Sequence, residues 1–372
     1  MRFSDITGNH ELKSTLISAV KRSQVAHAQL YHGDQGGAAL PIARAFTQYL
    51  LCTNRETNDS CGVCPSCHRV SRSVHPDVHY YYPKPSLKNE QNKEKKLERK
   101  WRDFILQFPY ADLNQWLSFA ELENKNVQIS KEETRKIVQS ISLKSFESKY
   151  KVVIIWCAHL MNASSANAIL KVLEEPPDGT VFLLVSFSKE KMLATIISRV
   201  QQMRVSTFSS SDMEQMLLSQ GLGIADSRII AKKSRGNMTK ALHLATRSDD
   251  LGFSYFQEWM RACIKNDFTL LVDKSEGFSQ LDKANQKNLF AYCIDLIRES
   301  IVSHCNGDKL ILSQGKELEF VNNFGKAVGI DVLEGIYKSI NDAFMHIERN
   351  ANPRITHLKL SLQIGHLMSK NP

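Results

Sequence analysis

The chain has 372 residues, of which 42% are hydrophobic and 23% charged, with a formal net charge of +9 when His is neutral. This composition excludes a disordered or collagen-like chain, and no apolar run approaches the roughly 18 residues that a membrane-spanning helix needs. At about 150 residues per domain, two or three domains are expected.

The start, MRFSDITGNHELKSTLISAV, is polar and amphipathic and holds no signal-peptide core, so a cytoplasmic protein with no membrane partner is expected. The basic surplus permits a nucleic-acid partner, but a Lys-rich solvated surface gives the same sum.

In chain order, a helix is predicted from about Glu11 to Arg22, then a short buried strand over 28–32. Gly33-Asp-Gln-Gly-Gly37 follows, and then a helix from about Leu40 to Leu51. Strand, Gly-rich turn and helix make an α/β opening. A second strand is predicted over 75–82.

Residues 83–126 shift in composition. Lys84 to Arg102 holds eight Lys or Arg against three Glu. Such a run reads as a surface insertion with a solvated, charged helix; contact with DNA or a partner is the alternative.

Ser130-x-x-Glu133 is a capping box. Lys151–Trp156 (KVVIIW) reads as a central parallel strand. Asn162 can cap the next helix, which Pro176-Pro177 ends. Val181–Ser186 is a further buried strand. Beyond residue 206 only helical patterns remain, broken at Gly221, Gly223, Gly236 and Asn350–Pro353. The expected architecture is an α/β domain over 1–206, a small helical domain over 207–248 and a larger all-helical domain over 249–372.

The Gly-rich turn has the context of a phosphate loop, which reads G-x-x-x-x-G-K-[ST] between strand and helix. Gly33, Gly36 and Gly37 keep the turn, but Ala38, Ala39 and Leu40 stand at the last Gly, Lys and Ser/Thr positions. A plain Gly-rich turn is the competing reading. The strand KVVIIW ends in Trp156-Cys157, where a hydrolysing enzyme would carry acids for magnesium and water. Both departures point to a site that does not hydrolyse nucleotide.

The eight cysteines divide unevenly. Cys157, Cys263, Cys293 and Cys305 are isolated, whereas Cys52-x8-Cys61-x2-Cys64-x2-Cys67 is a cluster. Four thiolates at this spacing suit a closed, structural zinc site, with free thiols or a redox pair as the alternative. His68 and His75 lie nearby as substitute ligands.

Together these residues resemble the delta-prime family of bacterial DNA polymerase III clamp-loader subunits, within the AAA+ superfamily. The resemblance rests on Ala26-His-Ala-Gln-Leu-Tyr31, the Cys cluster, His75-Pro76-Asp77, Ala166-Asn-Ala-Ile-Leu-Lys-Val-Leu-Glu-Glu-Pro-Pro177, Ile197-Ser198-Arg199 and Asn352-Pro353-Arg354. It spans the chain except for about 83–126. It implies a degenerate AAA+ sheet domain carrying a zinc module (52–67), a small helical lid and an all-α collar. It also implies a five-subunit arc with tau/gamma ATPases and a delta subunit, which opens the sliding clamp and closes it around primed DNA, at the nucleoid-associated replisome.

In that frame Arg199, with Ser198, resembles a trans arginine finger reaching a neighbour's γ-phosphate; a structural or surface ion-pair Arg is the plain alternative. No ATP is expected in the chain's own site. Val200 follows Arg199 where clamp-loader ATPases typically have Cys. Thr239 falls where active subunits place a nucleotide-sensing Arg. Two other readings compete: a self-sufficient tau/gamma-type ATPase, and a zinc-dependent nucleic-acid-binding protein.

Overall fold

The computed structural model describes residues 1–86, 91–123, 125–142, 144–246, 250–307 and 310–369. The chain forms two compact units, Met1–Ala245 and Thr246–Pro372.

The first unit opens with α1 (His10–Lys21), β1 (Ala28–His32), α2 (Ala39–Leu51), α3 (Pro65–Ser71) and β2 (Val78–Tyr81). It continues through α4 (Gln91–Gln107), α5 (Leu113–Phe119), α6 (Lys131–Ser142), β3 (Lys151–Trp156), α7 (Ala163–Glu174) and β4 (Thr180–Ser186). It closes with α8 (Ala194–Ile197), β5 (Gln201–Arg204), α9 (Ser210–Ser219), α10 (Ile224–Ser234) and α11 (Met238–Thr246).

The five strands make one sheet in the order β2-β3-β4-β1-β5, and every pairing is parallel. Successive residues of a strand face opposite sides, so β3 splits its run between two cores. Val152, Ile154 and Trp156 pack with α2, while Val153 and Ile155 pack with Ile137, Ile169 and Ile196. Burial on both faces explains why Val152–Trp156 is apolar throughout instead of alternating. Asn162 caps α7 as expected, its side chain accepting from the Ser165 N–H at 2.8 Å.

The insertion departs from its expected solvated character. Leu97, Trp101, Phe104 and Ile105 recur at i, i+4, i+7 and i+8 along α4, and all four are buried in the first unit's core. Charge occupies only the opposite face. The helical segment after residue 206 shares the same core: Phe208, Met213, Leu217, Ala231, Met238 and Ala241 cluster with Leu40, Phe46 and Trp156.

The second unit is all helical: α12 (Asp250–Lys265), α13 (Phe268–Gln280), α14 (Lys283–His304), α15 (Gly315–Ala327), α16 (Ile330–Glu348) and α17 (Pro353–Ser369). Its core includes Phe256, Trp259, Phe278, Phe290, Leu333 and Ile340. His357 lies inside, its ring 4.7 Å from Trp259 and 4.8 Å from Phe278. Ser275 spends its hydroxyl proton on the Leu271 carbonyl, so the His357 Nδ1–H donates to Ser275 Oγ at 2.9 Å. Nε2 then accepts from the Tyr255 hydroxyl at 2.8 Å. This is a satisfied neutral histidine, and burial, helped by the charge of Lys274, holds it down at about 3.

Candidate functional site

The Gly-rich turn joins the C-terminal end of β1 to α2. Gly36 adopts φ +73°, and a Cβ there would lie 2.0 Å from Asn237 Oδ1. A Cβ at Gly33 would lie 2.5 Å from the Val205 carbonyl oxygen. Glycine is thus required at both positions by the chain's own packing. The Met238 N–H donates to the Gly36 carbonyl at 2.9 Å, which ties α11 onto the turn.

Ala39, in the lysine position, and Leu40 are both buried, as is every other residue of α2. These residues bring to the turn neither the charge nor the hydroxyl with which a phosphate loop holds a nucleoside triphosphate.

The insertion fills the neighbouring space. Arg44 of α2 donates from Nη1 to the Ile105 carbonyl at 2.6 Å. Thr239 donates its hydroxyl to the Tyr110 carbonyl at 2.6 Å, and the Tyr110 ring meets Phe208 edge-on at 5.6 Å. Trp101 lies 5.1 Å from Trp156 and stacks on Tyr82 at 4.2 Å. Cys157 follows Trp156 in the left-handed region at φ 54°, wholly buried. Burial, with the charge of Asp112, pushes its thiol well above the usual thiol range. The strand end therefore presents an aromatic wall and a neutral sulfur.

Sequence reasoning missed these partners, although the Leu97-Trp101-Phe104-Ile105 stripe was available in the sequence. Asn237 and Tyr110 carry no local signal.

Arg199 follows α8. Its Nε donates to the Glu174 carboxylate at the end of α7. Its Nη1 donates to the Thr195 carbonyl at 2.9 Å and to Ser198 Oγ at 3.3 Å. Ser198 in turn donates to the Thr195 carbonyl at 3.1 Å. The Arg199 side chain retains 34% exposure.

The strand register separates Arg199 from the turn. β5 begins at Gln201 opposite Gln29 and ends at Arg204 opposite His32. Arg199 thus precedes the start of β5, whereas Gly33 follows the end of β1. A four-residue strand of about 13 Å lies between these levels. The two sequence-predicted features are therefore not brought together.

The four clustered cysteines are. Their Sγ atoms all lie within 4.8 Å of one another, with Cys52–Cys61 at 3.5 Å and Cys52–Cys64 and Cys61–Cys67 at 4.0 Å. A tetrahedral centre with metal–sulfur bonds of about 2.3 Å has sulfurs about 3.8 Å apart, so the tetrad fits a thiolate-bound metal. The N–H groups of Cys61, Cys64 and Cys67 donate at 3.4 Å to the sulfurs of Cys52, Cys61 and Cys64 respectively. Such donors stabilise the thiolate form that a metal requires.

Neither nearby histidine joins the tetrad. His68 is exposed, and the His75 ring is taken by Ser66 at 3.1 Å, Glu147 at 3.0 Å and the Asp77 N–H at 3.1 Å. Asp77 accepts from the N–H groups of Phe146, Glu147 and Ser148. Burial opposes its ionisation, but these donors hold it below the usual carboxylate range. His75 and Asp77 thus fasten the Cys segment to the loop before β3.

A second fastening runs to the N-terminal segment. Asp59 accepts from the N–H groups of Phe3 at 3.1 Å, Ser4 at 2.9 Å and Ser60 at 2.8 Å.

Comparison with known proteins follows the same outline. Residues 8–209, more than half of the chain, match the family described as "DNA polymerase III, delta subunit". The DNA polymerase III subunit delta' of Bacillus subtilis is 24% identical over 239 residues, covering 64% of this chain and 59% of its own length. The delta' subunit of Pseudomonas aeruginosa is 29% identical over 181 residues, covering 49% and 43%. The tau/gamma subunit of Haemophilus influenzae is 23% identical over 256 residues, covering 67% of this chain and 31% of its own length. The chain thus spans between a third and three fifths of the length of these relatives. The chain belongs to the family described as DNA polymerase III, delta subunit.

Proposed function

We propose that the chain is a non-hydrolysing clamp-loader subunit of the delta-prime type. It supplies Arg199, shaped by Ser198, in trans to the γ-phosphate held by a neighbouring tau/gamma-type ATPase subunit. With delta and tau/gamma subunits it helps to load the sliding clamp on primed DNA during replication, in the cytoplasm at the nucleoid-associated replisome.

One observation carries this reading. The chain's own phosphate turn is packed by its own residues and lacks a lysine, while Arg199 remains half-exposed at the other end of the sheet. An arginine so placed is suited to a neighbour's nucleotide and not to its own turn. The reading also assigns the domains: a degenerate sheet domain, a lid over 207–248 and a collar over 249–372.

Cys52, Cys61, Cys64 and Cys67 hold zinc in this reading. Four thiolates leave no open position, so the ion is structural. It pins the segment between α2 and β2.

Equilibrium binding of labelled ATP to the chain alone should show no tight site. Reconstitution with tau/gamma and delta subunits should yield DNA-stimulated hydrolysis that depends on Arg199. Tight binding with turnover by the isolated chain would falsify the silent-site reading.

A further inference from the structure

The buried stripe of α4 fixes what its other side presents. Lys95, Arg99 and Arg102 stand at i, i+4 and i+7 on the outward crest, and all three are exposed. Lys100 and Lys96 at the flank face Glu121, and Glu94 below the crest binds Lys84 and Lys136. Among the described residues, the three crest cations enter no ion pair. Exposed Glu98 and Asp103 are the acids beside them. The crest ends in Leu106; Phe108, just past the helix end, continues the Trp101–Phe104 side, packs 5.9 Å from both Phe104 and Phe119, and is still 40% exposed.

We propose that this crest is a docking surface for single-stranded DNA. Three unpaired cations over about 10 Å of helix match roughly three phosphates of one strand. Two of the three are arginines, whose planar fork suits phosphate oxygens better than an ammonium does. A strand that leaves the row around the end of α4 reaches the part of the Phe108 ring that Phe104 and Phe119 leave exposed, where an unpaired base can stack and a duplex cannot.

A membrane surface does not fit, because the apolar face that would enter it is already buried in the core. An acidic protein does not fit well either, since the crest carries no apolar anchor before Leu106.

The test uses the full chain alone, so its outcome is independent of the clamp-loader reading. Fluorescence anisotropy with a labelled oligothymidylate at low salt should show binding. The log–log salt slope should be about −2, from three phosphates at 0.7 each. The Lys95→Glu/Arg99→Glu/Arg102→Glu variant should lose at least tenfold in affinity. Phe108→Ala should lose about fivefold or more.

Lys316→Glu/Lys326→Glu/Lys359→Glu, which changes the net charge equally at exposed sites of the second unit, should bind as the parent does. Arg99→Gln/Arg102→Gln guards against misfolding and should still lose severalfold. Undiminished binding by the α4 variants would overturn the proposal. So would an equal loss in the second-unit control, or tighter binding of a duplex of the same length.

Discussion

Glu174 and Arg199 are joined across 25 residues of sequence, the carboxylate taking the Nε edge of the guanidinium. Thr195 and Ser198 take Nη1, and among the described residues nothing bonds Nη2. The guanidinium is thus held by one side with the other turned out, which limits the rotamer freedom that a long side chain would otherwise lose on reaching a phosphate.

If Arg199 serves a neighbour's nucleotide, Glu174 is its positioning residue. Glu174→Ala should lower kcat of the reconstituted assembly about two- to fivefold with KM for ATP unchanged, equivalent to roughly 0.5–1 kcal/mol of side-chain ordering. Arg199→Ala should cost about 10³-fold at the site it serves, and Arg199→Lys should not restore it. Steady-state ATPase assays with primed DNA check both. A Glu174→Ala change that moves KM alone would remove the positioning role.

Removing one cysteine should empty the metal site. Cys64→Ser is expected to bind no zinc by elemental analysis, because a structural tetrad needs all four thiolates. Asp59 and His75 fasten this segment at both ends, so faster hydrogen exchange should appear at residues 2–4 and 52–75 and not in the second unit. Full zinc occupancy in the variant would end the four-thiolate assignment.

Restoring the missing phosphate-loop residues should not restore the site. Ala39→Lys/Leu40→Thr puts an ammonium and a hydroxyl where both side chains are buried. We expect a loss of several kcal/mol in stability and no ATP binding by equilibrium dialysis, since burying an unpaired charge is costly. Tight ATP binding by this variant would show that the packing by Asn237 and Tyr110 does not close the site.

The second unit should be acid-sensitive through His357. Its ring is held down at about 3 when folded, against 6.5 for the free side chain. Above pH 6.5 both states are neutral and the stabilisation is fully present. As pH falls below 6.5 the unfolded state takes up a proton that the folded state refuses, so stability drops until about pH 3. At pH 4.5 the loss is about 2–3 kcal/mol. Urea melts from pH 7.5 to 4.5 measure it. His357→Phe should be less stable throughout but should lack this slope.

Four of the five strands were legible from their apolar or aromatic runs; β5 was not, since Gln201, Gln202 and Arg204 are exposed and Met203 alone in it is buried. KVVIIW and VFLLVS could hardly be read otherwise. The Cys tetrad was legible because its thiols stand at the short spacings that suit metal ligation. The insertion was misread because its charges outnumber its apolar residues locally. Trp101 and Phe104 reveal their role only when counted at helical period. Glu174, Asn237 and Tyr110 were out of reach, since each acts on a partner distant in sequence and no local pattern marks such a pair. The bonds that the Asp77 carboxylate accepts from the N–H groups of residues 146–148 are of the same kind: the His-Pro-Asp motif was visible, but its purpose was not.

Three carbonyl oxygens deserve to be considered as one device. Those of Gly36, Ile105 and Tyr110 are taken by Met238, Arg44 and Thr239, so the turn, the insertion and the last helices of the first unit are stitched through backbone atoms. A hinge needs slack between the parts it joins, and here it is taken up by one bond between peptide groups and two that hang on the side chains of Arg44 and Thr239. If its proposed neighbours open and close with each nucleotide, such a subunit would behave as an anvil: it resists displacement, and the motion appears in whatever is pressed against it.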